Sequence, residues 1–116
     1  MNDSILTSVK KMLGITEEYT QFDMDIIIHI NSVFAILYQL GVGPGYCYSI
    51  TDKTNTWSEF ISDQTKLELV KSYMYLKVKL IFDPPTVGTV MEATNRQIAE
   101  FEWRLNAAVD PDNTFD

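Results

Sequence analysis

Apolar positions in this chain recur at spacings of three and four over long stretches, the pattern of helices with a buried face. In 4–13, Ile5, Val9, Met12 and Leu13 form one stripe. Asp3 or Ser4 is placed to cap it by accepting hydrogen bonds from the first free N–H groups. Gly14 then supplies the left-handed residue that often ends a helix. Such a short helix is marginal without packing. A second helix is predicted over 23–40, with Ile26, Ile30, Val33, Leu37 and Leu40 in one stripe and Ile27, Phe34 and Tyr38 beside it. Apolar over so much of its circumference, it should be buried on more than one side. Asp23 and Asp25 stand at its start, where negative charge meets the positive end of the helix dipole. The β-branched run Ile26, Ile27, Ile28 also suits a strand, but the length of the periodic pattern decides for helix.

Two more helices follow. Over 65–82, Leu67, Val70, Met74, Val78 and Ile81 make one stripe and Leu69, Tyr73, Leu76 and Leu80 another, again implying contacts on two sides. Asp83-Pro84-Pro85 ends it, because proline disfavours helical geometry in the residue before it. Over 88–107, Met91, Thr94, Ile98, Phe101, Leu105 and Ala108 alternate at three and four, a heptad-like seam. Glu92 with Arg96, and Glu100 with Arg104, are acid–base pairs four residues apart, each worth about 0.2–0.5 kcal/mol.

The connections are equally legible. Residues 16–22 are polar and acidic, a linker outside the core. Gly41-Val42-Gly43-Pro44-Gly45 cannot continue a helix. A loop over 46–56 follows, in which Tyr46, Tyr48 and Ile50 alternate with Cys47 and Ser49, so that a short extended segment or small hairpin is open there. Loops of this length are uncommon in compact domains unless they carry function. A helical turn over 57–61 is expected to plug the core with Trp57 and Phe60. The last residues, 110–116, hold three acids, no base and Phe115, and read as a flexible tail. The expected fold is therefore all-α: a small bundle of about four helices, one domain over 1–109, with a long loop between the second and third main helices and an acidic tail over 110–116.

Composition narrows the function. The 116 residues carry a net charge of −7, with nine Lys and Arg spread thinly. Binding a duplex needs a concentrated basic surface, and Lys71, Lys77 and Lys79 make a weak patch at most. A single cysteine, Cys47, excludes an intramolecular disulfide and suits a reducing cytosol. No signal peptide is evident in 1–13, and the most apolar segment, 26–40, is shorter than a membrane span and contains His29, Asn31, Ser32 and Gln39. A protein inside the cell, with no membrane partner, is expected.

Reactive chemistry is sparse. One His and one Cys give no paired metal-ligand spacing. Asp25 and His29, four apart on a helix, fit an acid-oriented base, but a local ion pair or hydrogen bond is the better account without a nucleophile or oxyanion loop. Cys47 lacks the electropositive setting that would lower its pKa. The Gly41, Gly43, Gly45 run follows a helix and is broken by proline, unlike a phosphate cradle. No enzyme activity and no cofactor are expected. The aromatics say more: Tyr46, Tyr48, Trp57, Phe60, Trp103 and Phe115 are the candidate interaction residues, since aromatics are enriched at interface centres. For Trp57 and Phe60 the core-plug role is favoured, and Trp103, off the seam, either widens the buried face or meets a neighbour.

Several stretches in order also carry a resemblance. They are Asp25 to Phe34 running into Gln39-Leu40-Gly41-Val42-Gly43-Pro44; Trp57-Ser58-Glu59-Phe60; Val70-Lys71 through Tyr75-Leu76-Lys77-Val78; Phe82-Asp83-Pro84-Pro85; and Gln97 through Glu102-Trp103-Arg104-Leu105-Asn106. Together they resemble the head–tail connector (adaptor) proteins of long-tailed bacteriophages and prophages, over residues 4–106. The resemblance implies a helical fold and a ring of identical subunits, a dodecamer when assembled on the portal. It implies portal protein and a stopper or tail-completion protein as partners, and DNA passing through the channel without specific binding. The site implied is the virion head–tail interface, reached by assembly in the host cytoplasm. A regulatory or adaptor module binding one partner protein is the alternative; assembly state separates the two.

Overall fold

The computed structural model describes residues 4–109, and side chains as far as Ala107. Among them are five helices: α1 (Ile5–Met12), α2 (Asp23–Gln39), α3 (Trp57–Phe60), α4 (Gln64–Phe82) and α5 (Gly88–Val109). The predicted elements are all present, within one or two residues at each end. Asp3, the side chain of Ala108, the proposed tail 110–116 and Phe115 lie outside the described residues.

Local chemistry sets the boundaries. Ser4 caps α1, its hydroxyl accepting from Thr7 N at 3.2 Å. Gly14 follows at φ +83°, the left-handed geometry expected of it. Asp63 caps α4, its carboxylate accepting from Thr65 N at 3.0 Å and Lys66 N at 3.3 Å. A capping box between Thr56 and Glu59 starts α3.

α4 is the central element, packed against α1, α2 and α5. Its stripe of Leu67, Val70, Met74 and Val78 is buried, as is Tyr73, while Leu69, Leu76 and Leu80 are partly buried against the core. Ile81, assigned to the first stripe, is exposed, and Phe82 beside it makes the core contact at this end of the helix. α5 docks through Ile98 and Leu105, with Met91, Thr94 and Phe101 half-buried. α2 departs from expectation. Ile26, Ile30, Val33, Phe34 and Leu37 are buried, but Met24, Ile28 and Tyr38 are exposed. The loop over 46–56 meets that outer side at Asn31, through Ile50, and the apolar side chains around it stay exposed.

Two further departures concern the connections. The 16–22 segment reaches the core through Phe22, which meets Phe82 edge-on at 5.4 Å between centroids and Tyr19 at 5.7 Å. The linker also covers Lys10, which is 2% exposed. Lys10 Nζ donates to Glu17 O at 3.1 Å and lies 2.8 Å from Asp23 Oδ1, a contact that is ionic rather than a well-directed hydrogen bond. Asp23 thus does more than offset the helix dipole: it ties α2 to α1. The second departure is that the loop over 46–56 forms neither strand nor hairpin; it makes a single isolated bridge, Thr56 with Ser4.

Candidate interaction surfaces

The loop is held by side chains instead of a ladder. Asn31, on α2, acts as a surrogate strand: its Nδ2 donates to Ile50 O at 3.0 Å and its Oδ1 accepts from Ile50 N at 2.8 Å. Asn55 Oδ1 accepts from Thr51 N at 2.8 Å, and Ile5 N donates to Asn55 O at 3.1 Å. Tyr48 OH donates to Glu59 at 2.8 Å, and Trp57 Nε1 donates to Ser8 Oγ at 2.8 Å. Burial and the adjacent Glu59 carboxylate push the Tyr48 phenol well above its ordinary pKa, while the Tyr48, Asn55 and Thr56 donors hold Glu59 below the usual glutamate range.

This network closes over an aromatic cluster. Phe34 lies 4.7 Å from Phe60, 5.1 Å from Tyr48 and 6.3 Å from Trp57, centroid to centroid. Gly43, at φ +101°, lets the backbone rest on Phe60: a Cβ there would stand 2.5 Å from Phe60 Cε1. Tyr48, Trp57 and Phe60 are therefore core residues, at 7%, 1% and 4% exposure. Tyr46 and Trp103 are at the surface, at 60% and 72%. Trp103 does not widen the buried face of α5; it stands on the outward side.

The residues that would support reactive chemistry are not assembled. Cys47 is exposed in the loop and His29 is half-buried on α2. Among the described residues, no hydrogen bond or ion pair joins His29 to Asp25 or to Cys47, and no group of three or more His, Cys, Asp and Glu could hold a metal ion. No helix of the described residues is long and apolar enough to cross a membrane. Three of the surface depressions are open grooves lined mostly by helix side chains, and two more are bordered by loop residues: one by Gly41–Gly43 and 61–63, the other, of about 500 Å³, by Thr51, Asp52 and Lys53 against Met24 and Ile27 of α2.

The sequence model of the family described as phage connector protein matches residues 5–112. The chain belongs to that family. No curated protein and no solved structure matches it.

Connectors are structural proteins, so the surfaces of this connector matter more than any pocket. The exposed large apolar side chains include Met24, Ile28 and Tyr38 on α2, Tyr46 in the loop, Val87 and Val90 around the start of α5, and Trp103, with Met12, Tyr19 and Ile81 exposed to a lesser degree or at element ends. Aromatic content singled out Tyr46 and Trp103; it passed over Met24, Ile28 and Val90. The available signal for the α2 pair was angular. At 100° per residue, Met24 and Ile28 fall on the side of α2 opposite Val33 and Leu37, beyond what one layer of helices can cover.

Proposed function

We propose that this connector assembles as a ring on the portal of a phage head and extends the DNA channel toward the stopper or tail-completion protein. The observation that carries this is the open apolar face of α2, with Trp103 exposed on α5, in a family of connectors. Exposed apolar surface on a small chain marks a protein contact. Trp103 and Tyr46 are the proposed anchors for partner proteins, together with Phe115; Tyr48, Trp57 and Phe60 are buried in the aromatic cluster around Phe34. The net charge of −7 suits a lumen through which DNA slides without sticking. The ring joins the virion at the head–tail interface after assembly in the host cytoplasm.

Electron microscopy of the chain mixed with the portal protein encoded alongside it tests the role directly. Rings stacked on the portal are expected. Portal particles with no added density, at saturating connector, would refute it. Trp103→Ala should lower portal occupancy without changing the helical content seen by circular dichroism.

A further inference from the structure

We propose that residues 110–116 fold back on the same molecule and seat Phe115 in the depression bordered by Gly41–Gly43 and 61–63, covering this anchor until the portal takes it. The docking stands by itself; only its release by the portal rests on the role proposed above.

The exit point of the chain selects the site. α4 and α5 pack on each other across the short turn 83–87, so they run antiparallel. Tyr73 is bonded to Glu102, and Ser72 and Gln97 line one depression together. This register brings the end of α5 level with the start of α4, near Lys66. Asn106 Nδ2, donating to Leu40 O at 3.1 Å, sets the same end beside Gly41. The depression that Gly41 and Lys66 both line therefore opens where α5 stops, at Val109.

Reach excludes the more distant depressions. Six residues carry the chain from Val109 to Phe115, a span of at most about 20 Å. Val90 and the groove beside it stand about 28 Å away along α5, and the depression at Met24 lies about 24 Å along α2 from Leu40. Two others are in reach, one at Phe101 and one toward Met12. They are smaller, about 180 and 290 Å³ against about 390 Å³. Each also has its cation engaged, Arg104 with Glu100 and Lys71 over the Trp57 ring.

The chosen depression suits the composition of the segment. Val42, Phe60 and Ile61 give it an apolar floor, and a cavity of about 150 Å³ already accepts a benzene ring. Its walls are irregular backbone on both sides, shaped for an extended segment more than for a helix. Pro111 disfavours helical geometry at Asp110, so the chain can leave the axis of α5 there. Lys66, half-buried on the rim, has no ion pair among the described residues, and Asp110, Asp112 and Asp116 bring carboxylates to it. Asp63, the acid on that rim, is already committed to the Thr65 and Lys66 amides. A segment joined by a few residues meets its site at an effective concentration of about millimolar, which favours it over any separate chain.

The test is amide NMR on the isolated chain of 116 residues, wild type against Phe115→Ala. The substitution should shift Gly41, Gly43, Ser62 and Lys66 and leave Tyr75 and Val90 unmoved, to the same extent at every protein concentration. Lys66→Glu should shift the resonances of 110–116. Unmoved resonances at 41–43 and 61–66, shifts centred on Phe101, or shifts that fade on dilution would overturn the docking. Ser62→Cys with Thr114→Cys, made with Cys47→Ser, gives a disulfide lock that keeps Phe115 and that a reductant opens. The locked form should occupy the portal about tenfold less than the reduced form. Equal occupancy would overturn the covering role. Absence of rings on the portal from the wild-type chain would overturn the ring and the covering role together, while the docking is read without the portal.

Discussion

The loop before α3 and the long helix α5 reverse the usual relation between regularity and attachment. The loop has no repeating hydrogen bonds, yet Asn31 of α2, Glu59 of α3 and the Ile5 amide of α1 hold it from outside and Asn55 ties it from within, and it closes the aromatic cluster. α5 satisfies its own backbone over 22 residues but meets the rest of the chain through a narrow seam. Its polar ties are few: Tyr73 OH donates to Glu102 at 2.7 Å, and Asn106 Nδ2 donates to Leu40 O at 3.1 Å. Self-contained hydrogen bonding makes a helix independent of its surroundings. An irregular segment must borrow partners and becomes bound to them.

Substitutions can break this contrast. Trp57→Ala, which empties a fully buried site and removes the Nε1 donor to Ser8 Oγ, should cost about 3–5 kcal/mol in denaturant unfolding. Asn31→Leu leaves both polar groups of Ile50 without their partner and should cost about 2 kcal/mol, with faster amide exchange in the loop. Tyr73→Phe, on the α5 side, should cost about 1 kcal/mol. Arg104→Ala removes an exposed pair with Glu100 at 2.6 Å and should cost at most about 0.5 kcal/mol. If Tyr73→Phe proved as damaging as Asn31→Leu, α5 would be tied as firmly as the loop.

Acid should act first on the loop. Glu59 titrates below its ordinary range in the folded protein, so its contribution is present above that range and is lost as the pH falls through the lowered value. Tyrosine fluorescence should report release of the Tyr48 hydroxyl over that window, and Tyr48→Phe should remove the transition. A change of equal size in the variant would assign it elsewhere.

The helices were legible in the sequence because periodicity is local: the stripes of α1, α4 and α5 and the stop at Pro84 need no knowledge of the fold. Trp57 and Phe60 were legible as plugs for the same reason, large aromatics on a short turn. Polar partners were not. Nothing near Lys10 indicates that it is buried against Asp23, and nothing near Asn31 points to Ile50, because those pairings exist only once helices are packed. Phe22 was hidden among polar neighbours in a segment read as linker. Of the two predicted acid–base pairs on α5, Glu100 and Arg104 meet, whereas Glu92 and Arg96 do not come within ion-pair distance among the described residues. Exposed pairs gain too little to hold one geometry. The candidate surface divides likewise: aromatic type marked Tyr46 and Trp103, while the α2 face required knowing which side the other helices leave bare.

The attachment of α1 carries a consequence for synthesis. Ser8, Ile5 and Ser4 are all held by residues 55–57, some fifty positions downstream. As the chain leaves the ribosome, α1 can meet α2 through Lys10 and Asp23, but the side that carries Ile5 and Ser8 is locked only once the segment through Trp57 has emerged. An eight-residue helix is unstable by itself, so the amino-terminal end must wait for its lock to be translated.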